Sequence, residues 1–102
     1  MEFKRNQGDV ICSLKNELIA SNVQEMRDEL INYLDSNPNW EKFILDCQDI
    51  ETLDSIGVNL IVGLYKKALA ANKGFEIIGC NEAIFKVLKL FRLDEQFTVK
   101  EK

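Results

Sequence analysis

No histidine occurs in this sequence. That removes the usual general base, the commonest metal ligand and every serine–histidine or cysteine–histidine nucleophile pair. Cysteine is sparse: Cys12, Cys47 and Cys80 stand far apart, with no C-x-x-C, each in or beside an apolar run. They read as reduced, partly buried thiols of a cytoplasmic protein, and neither a redox role nor a metal site is expected of them. The single proline, Pro38, leaves no proline-rich linker. No apolar run approaches membrane-spanning length, and Met1-Glu2-Phe3-Lys4-Arg5 lacks the apolar region of a secretory signal. Basic residues are outnumbered, 13 against 17 acidic for a formal net charge of −4, which argues against a general nucleic-acid binder.

What is present fits an ordinary globular domain. The 102 residues, 46% apolar and 29% charged, suffice for one core without a staple. Met1 to Arg5, the turn Asn6-Gln7-Gly8-Asp9 and the run Val10 to Lys15 predict a hairpin. Ser21 is expected to open a helix, with Gln24 as its capping-box partner. Val23, Met26, Leu30, Tyr33 and Leu34 form its apolar stripe, and it stops before Pro38. Lys42 to Leu45 has little alternation, as in strands covered on both faces. A second helix is expected from about Asp54 to Asn72, with Val58, Ile61, Val62, Tyr65, Ala68 and Leu69 lining one side. Gly74 offers a left-handed helix stop. A strand from Phe75 to Cys80 follows, then a helix capped by Asn81 with Ile84, Val87, Leu88 and Phe91 inward, then a short strand or tail from Glu95 to Val99. The order β-β-α-β-α-β-α-β implies an α/β fold with a mixed central sheet and helices packed against it. Trp40 and Tyr65 belong to the core or its edge, and Lys66-Lys67 to a solvated helix face.

The stretch Leu45-Asp46-Cys47-Gln48-Asp49-Ile50-Glu51-Thr52-Leu53-Asp54-Ser55-Ile56-Gly57-Val58 carries the functional signal. A strand ends in a polar turn, and a serine follows at the head of an apolar helix. A phosphate on that hydroxyl would meet backbone N–H groups and the positive end of the helix dipole. Ser55 as a catalytic nucleophile lacks a base, and the turn is not G-x-S-x-G. Asp54 or Ser55 also suits a plain helix cap. Gly57 suits either close packing of the helix head or access to Ser55, and Ile56 either a partner contact or an inward side chain.

From about Gly8 to Val99 the chain resembles a STAS domain, of the type seen in bacterial anti-sigma factor antagonists. The matching residues are Leu45-Asp46-Cys47, Asp54-Ser55-Ile56-Gly57-Val58, Lys73-Gly74-Phe75, the helix Phe85 to Leu90 and the tail Leu93-Asp94-Glu95-Gln96-Phe97. The resemblance implies a single STAS domain over residues 1–102, not an enzyme, with Ser55 as a phosphoacceptor. A protein kinase that is also an anti-sigma factor would bind the unphosphorylated form and release the phosphorylated one. A metal-dependent serine phosphatase would reset it. No cofactor and no bound metal is implied, since ATP belongs to the kinase, and neither nucleic acid nor membrane insertion is expected. Asp54, Ile56, Gly57 and Asn59 would ring the docking surface, joined by Glu17, Ala20 and Ser21. The chain departs from the family at Asn16-Glu17-Leu18-Ile19, where many members have G-E-[IL]-D, at Ile56 in place of a second hydroxyl, and at Arg92 in place of a glycine. The alternatives are a scaffold STAS subunit of a signalling or lipid-transport complex, in which Ser55 is only a cap, and a nucleotide-binding module. The lack of a Gly-rich phosphate loop and of a basic cluster near Ser55 argues against the second.

Overall fold

The computed structural model describes residues 1–102. In β2 (Asp9–Ser13) Val10 and Cys12 are buried and the residues between them are not, the two-residue period of a strand with one face on a core. β1 (Glu2–Asn6) pairs with it antiparallel, from Glu2 opposite Ser13 to Asn6 opposite Asp9, so the expected hairpin turns through Gln7-Gly8. β2, β3 (Lys42–Asp46), β4 (Gly74–Cys80) and β5 (Thr98–Glu101) run parallel, and their order across the sheet is their order in the chain. Three helices bridge the parallel steps: α1 (Ala20–Ser36), α2 (Ser55–Ala70) and α3 (Glu82–Leu90). The expected element order is the observed one.

Parallel crossovers are right-handed, so a strand order that never reverses stacks all three helices on one face. The core agrees. Val10, Cys12, Phe43, Leu45, Phe75 and Ile77 from the sheet join Leu30, Ile61 and Leu88 from the helices in one cluster. β3 is therefore not covered by helices on both faces as its sequence suggested. Ile44 points away from that cluster and is 8% exposed, flanked across the ladder by Ile11 and Glu76. Glu76 is bridged by Lys42 and Lys100 at 3.1 Å each, so the bare face carries an ion-pair cluster beside these isoleucines.

Several local expectations are corrected. α1 begins at Ala20, its N-cap Ile19 makes no side-chain cap bond, and Gln24 Nε2 donates to Asp28 Oδ1 at 3.2 Å, so Ser21 and Gln24 form no capping box. The left-handed residue after α2 is Asn72, with φ 58°, while Gly74 opens β4. Leu69, near the C-terminal end of α2, and Phe91, the C-cap of α3, are 57% and 50% exposed rather than inward. Leu93–Glu95 forms a 3-10 turn ahead of β5, and Arg92 enters it at φ 58°. Trp40 is buried and Tyr65 half-buried against Phe75 and Phe97, as their sequence context suggested. No helix is long and apolar enough to cross a membrane.

Candidate functional site

Parallel strands deliver their loops to one edge of the sheet, and two of those loops meet around Ser55. The β2–α1 loop and the β3–α2 loop are joined by a short parallel bridge between Leu18 and Leu53. The Leu18 N–H donates to the Thr52 carbonyl at 3.3 Å, and the Asp54 N–H donates to the Leu18 carbonyl at 3.1 Å.

Asp54 is the N-cap of α2. Its Oδ1 accepts the Gly57 N–H at 2.8 Å, while Oδ2 accepts the N–H of Ala20, the first residue of α1, at 2.9 Å. One carboxylate thus caps two helices, and it supplies to α1 the side-chain acceptor that Ile19 lacks. The Gly57 N–H first, then that of Ala20, holds the Asp54 carboxyl below its ordinary value. Because Asp54 does the capping, the Ser55 hydroxyl is not needed for it. Ser55 is the first helical residue and is exposed.

Glu17 fastens the other side of the loop. Its Oε1 accepts the N–H of Glu51 at 2.8 Å, the N–H of Thr52 at 2.6 Å and the Thr52 hydroxyl at 2.9 Å. Burial pushes the Glu17 carboxyl up, but these hydrogen bonds together outweigh it and its pKa lies below the usual value. Asn22 Nδ2 donates to the Glu17 carbonyl at 2.9 Å. Asn81 caps α3 by accepting the Ile84 N–H at 2.8 Å, and its amide nitrogen donates to the Glu51 carbonyl at 3.2 Å. All three helix heads are therefore tied to the turn that carries Ser55.

Gly57 is buried. A Cβ there would lie 2.0 Å from the Leu18 carbonyl oxygen. The close-approach reading of this glycine is the one that holds, and its place in an accessible docking ring is corrected, since it lies beneath the surface rather than on it. Ile56 turns outward, 43% exposed, and Asn59, Ala20 and Ser21 are exposed around Ser55. Glu17 is half-buried and engaged by the loop. Lys15 is paired with Asp49 at 2.6 Å, which leaves Glu17, Glu51 and Asp54 as the uncompensated charges of the two loops, all acidic. Thr52, Leu18 and the second bond of Asn81 had no sequence signal: Glu17 and Thr52 are 35 residues apart, and only the sheet brings them together.

The cysteines are free and buried, and burial pushes the Cys12 thiol up to about 12. No group of three or more histidine, cysteine, aspartate or glutamate side chains is arranged to hold a metal ion. The larger surface cleft, about 400 Å³, lies at the far end, where Leu34, Trp40, Lys67 and Lys73 meet.

The architecture is a one-sided, singly wound α/β sheet that presents an exposed serine at a helix head. The chain belongs to the STAS domain family, whose model matches residues 1–102. Its fold is shared with a Thermotoga maritima protein provisionally described as an anti-sigma factor antagonist (24% identity, TM-score 0.89, covering 99% of this chain and 86% of that one). An anti-sigma factor antagonist from Mycobacterium paratuberculosis is also similar (18% identity, TM-score 0.86, 99% and 84%). So is the Bacillus cell-fate determinant SpoIIAA in its phosphorylated form (18% identity, TM-score 0.72, 99% and 90%). At these identities the likeness concerns the fold.

Proposed function

We propose that this chain is a phosphorylation-controlled partner-switching protein with Ser55 as its phosphoacceptor, acting as an anti-sigma factor antagonist. Unphosphorylated, it binds a serine kinase that is also an anti-sigma factor, and phosphorylation of Ser55 releases it. A metal-dependent serine phosphatase restores the binding form. The observation that carries this reading is the division of labour at residues 54 and 55: Asp54 satisfies the helix head, which leaves an exposed hydroxyl with no structural task.

The electrostatics give release a simple cause. A phosphate adds about −1.5 to −2 charges. It arrives where Glu17, Glu51 and Asp54 are already negative, and where the Gly57 and Ala20 N–H groups already serve Asp54. A partner surface shaped for a neutral hydroxyl then faces both bulk and unfavourable charge. A 100-fold loss of affinity requires about 2.7 kcal/mol, within the range of one misplaced dianion, and no large rearrangement is needed.

Intact mass spectrometry of the protein from its native cells tests the modification, with an increment of one phosphoryl group at Ser55 expected. Binding to the purified kinase tests the switch. Ser55→Ala should retain the partner and Ser55→Asp should lose it, and equal affinity of the two variants would refute the proposal.

A further inference from the structure

Where β4 runs beside β5 the ladder slips. From Ile77 to Cys80 the strand takes three steps while β5 takes two, from Val99 to Glu101. Gly79 absorbs the extra residue at φ 74°. Strict alternation from the inward Phe75 and Ile77 would send residue 79 into the core and Cys80 to the bare face. The bulge reverses that phase. Cys80 is fully buried in the core cluster, and a Cβ on Gly79 would point instead at Asp46 and Gln48. Bulges commonly re-aim one side chain in this way.

The side chain so aimed lands beside Cys47. Cys47 continues the inward phase of Phe43 and Leu45 in β3. Its N–H donates to the Ile78 carbonyl at 2.9 Å, which carries the parallel register of β3 and β4 up to this level. The two thiols are hydrogen-bonded to each other. That bond holds the Cys80 thiol below its ordinary value and, together with burial, pushes the Cys47 thiol up. Cys12, the third free cysteine, is engaged elsewhere, with its Sγ 3.3 Å from the Met1 Sδ. The pair stands at the root of the functional turn. Cys47 opens the stretch that leads to Ser55, and Cys80 precedes Asn81, whose amide holds the Glu51 carbonyl of that turn.

We infer that Cys47 and Cys80 are a redox-sensitive pair, which hydrogen peroxide joins into an internal disulfide at the root of the Ser55 turn. The Cys80 Sγ attacks one peroxide oxygen, the O–O bond breaks, and the thiol proton leaves with the departing hydroxide as water. The Cys47 Sγ then displaces the oxygen of the Cys80 sulfenic acid, which forms the S–S bond and releases a second water. The two thiols give up two electrons and one peroxide takes them. Both sulfurs are buried, so the reaction waits on local opening of β5, a four-residue edge strand that is mostly exposed. The absence of a redox role expected from the sequence then holds for Cys12 alone, because only the strand register brings the other two together.

The test is peroxide treatment of the folded protein, followed by intact mass and thiol mapping. The mass should fall by two hydrogens relative to the reduced protein, and dithiothreitol should restore it. After denaturation one thiol rather than three should take up iodoacetamide, and peptide mapping should place it at Cys12 and the bridge between Cys47 and Cys80. The bridge closes a loop that holds the Ser55 turn and α2, so the oxidised protein should melt about 10 °C above the reduced one. Cys12→Ser should keep both changes, while Cys47→Ala and Cys80→Ala should each lose them. Mapping on the parent chain does not depend on how any variant folds. Three alkylated thiols after peroxide, a bridge that includes Cys12, or a Cys80 that proceeds to the sulfinic acid without bridging would overturn the inference. Each outcome is independent of whether Ser55 is phosphorylated.

Discussion

Asp54 and Arg92 show how single residues take over tasks that other side chains would otherwise perform. Asp54 gives one oxygen to each of two helices, so its loss should be felt in both. Asp54→Ala is expected to destabilise the fold by about 1–2 kcal/mol, read from urea unfolding, with faster amide exchange at both Ala20 and Gly57. A cap serving α2 alone would leave the Ala20 amide unchanged. Arg92 holds φ 58° at an exposed position after α3. A left-handed conformation costs a side-chain-bearing residue roughly 1–2 kcal/mol; glycine relieves that strain, but the greater flexibility of its unfolded chain takes back part of the gain. Arg92→Gly should therefore stabilise the protein by about 0.5–1 kcal/mol, seen as a rise in the urea midpoint at constant slope.

Between elements, the decisive contact is the junction of the β2–α1 loop with the head of α2. There the Leu18 carbonyl accepts from Asp54 and also lies where a Cβ of residue 57 would go. Backbone cannot yield as a flexible side chain can, so Gly57→Ala should cost about 3 kcal/mol or more in unfolding free energy. The same junction should respond to acid. Glu17 and Asp54 both have folded-state pKa values below their ordinary 4.5 and 3.8. Their contribution is fully present above those values and is lost as pH falls through the lower folded values. Amide exchange at Glu51 and Thr52, corrected for its intrinsic pH dependence, should be flat above about pH 5 and accelerate below about pH 4. Glu17→Gln should remove that acceleration at these two amides.

For the whole molecule, the one-sided architecture separates the core from the turn that carries the proposed phosphoacceptor. The core lies under the helices, while Ser55 sits at the rim on a turn anchored to all three helix heads. A charge added there should change recognition and leave the core intact. Ser55→Asp should keep its thermal midpoint within about 3 °C of the parent and its circular dichroism unchanged while losing the kinase. A large drop in midpoint would mean that release works through unfolding rather than through the surface.

Element order, the hairpin, the buried stripes of α1 and the position of Ser55 at a helix head were legible because each is written in local spacing: a period of two or 3.6, a turn residue, a cap. Local spacing does not say which element lies across from which. Leu69 and Phe91 therefore read as buried but face solvent, and β3 read as doubly covered although a singly wound sheet leaves one side bare. Ser21 read as a cap because its own neighbours allow it, yet α1 is capped by Asp54, 34 residues away from Ala20. The sequence by itself determined the secondary elements and the serine at a helix head. Tertiary structure alone decided that Asp54 rather than Ser55 satisfies that head, because hydrogen bonds between distant loops form only once the strands have set their register.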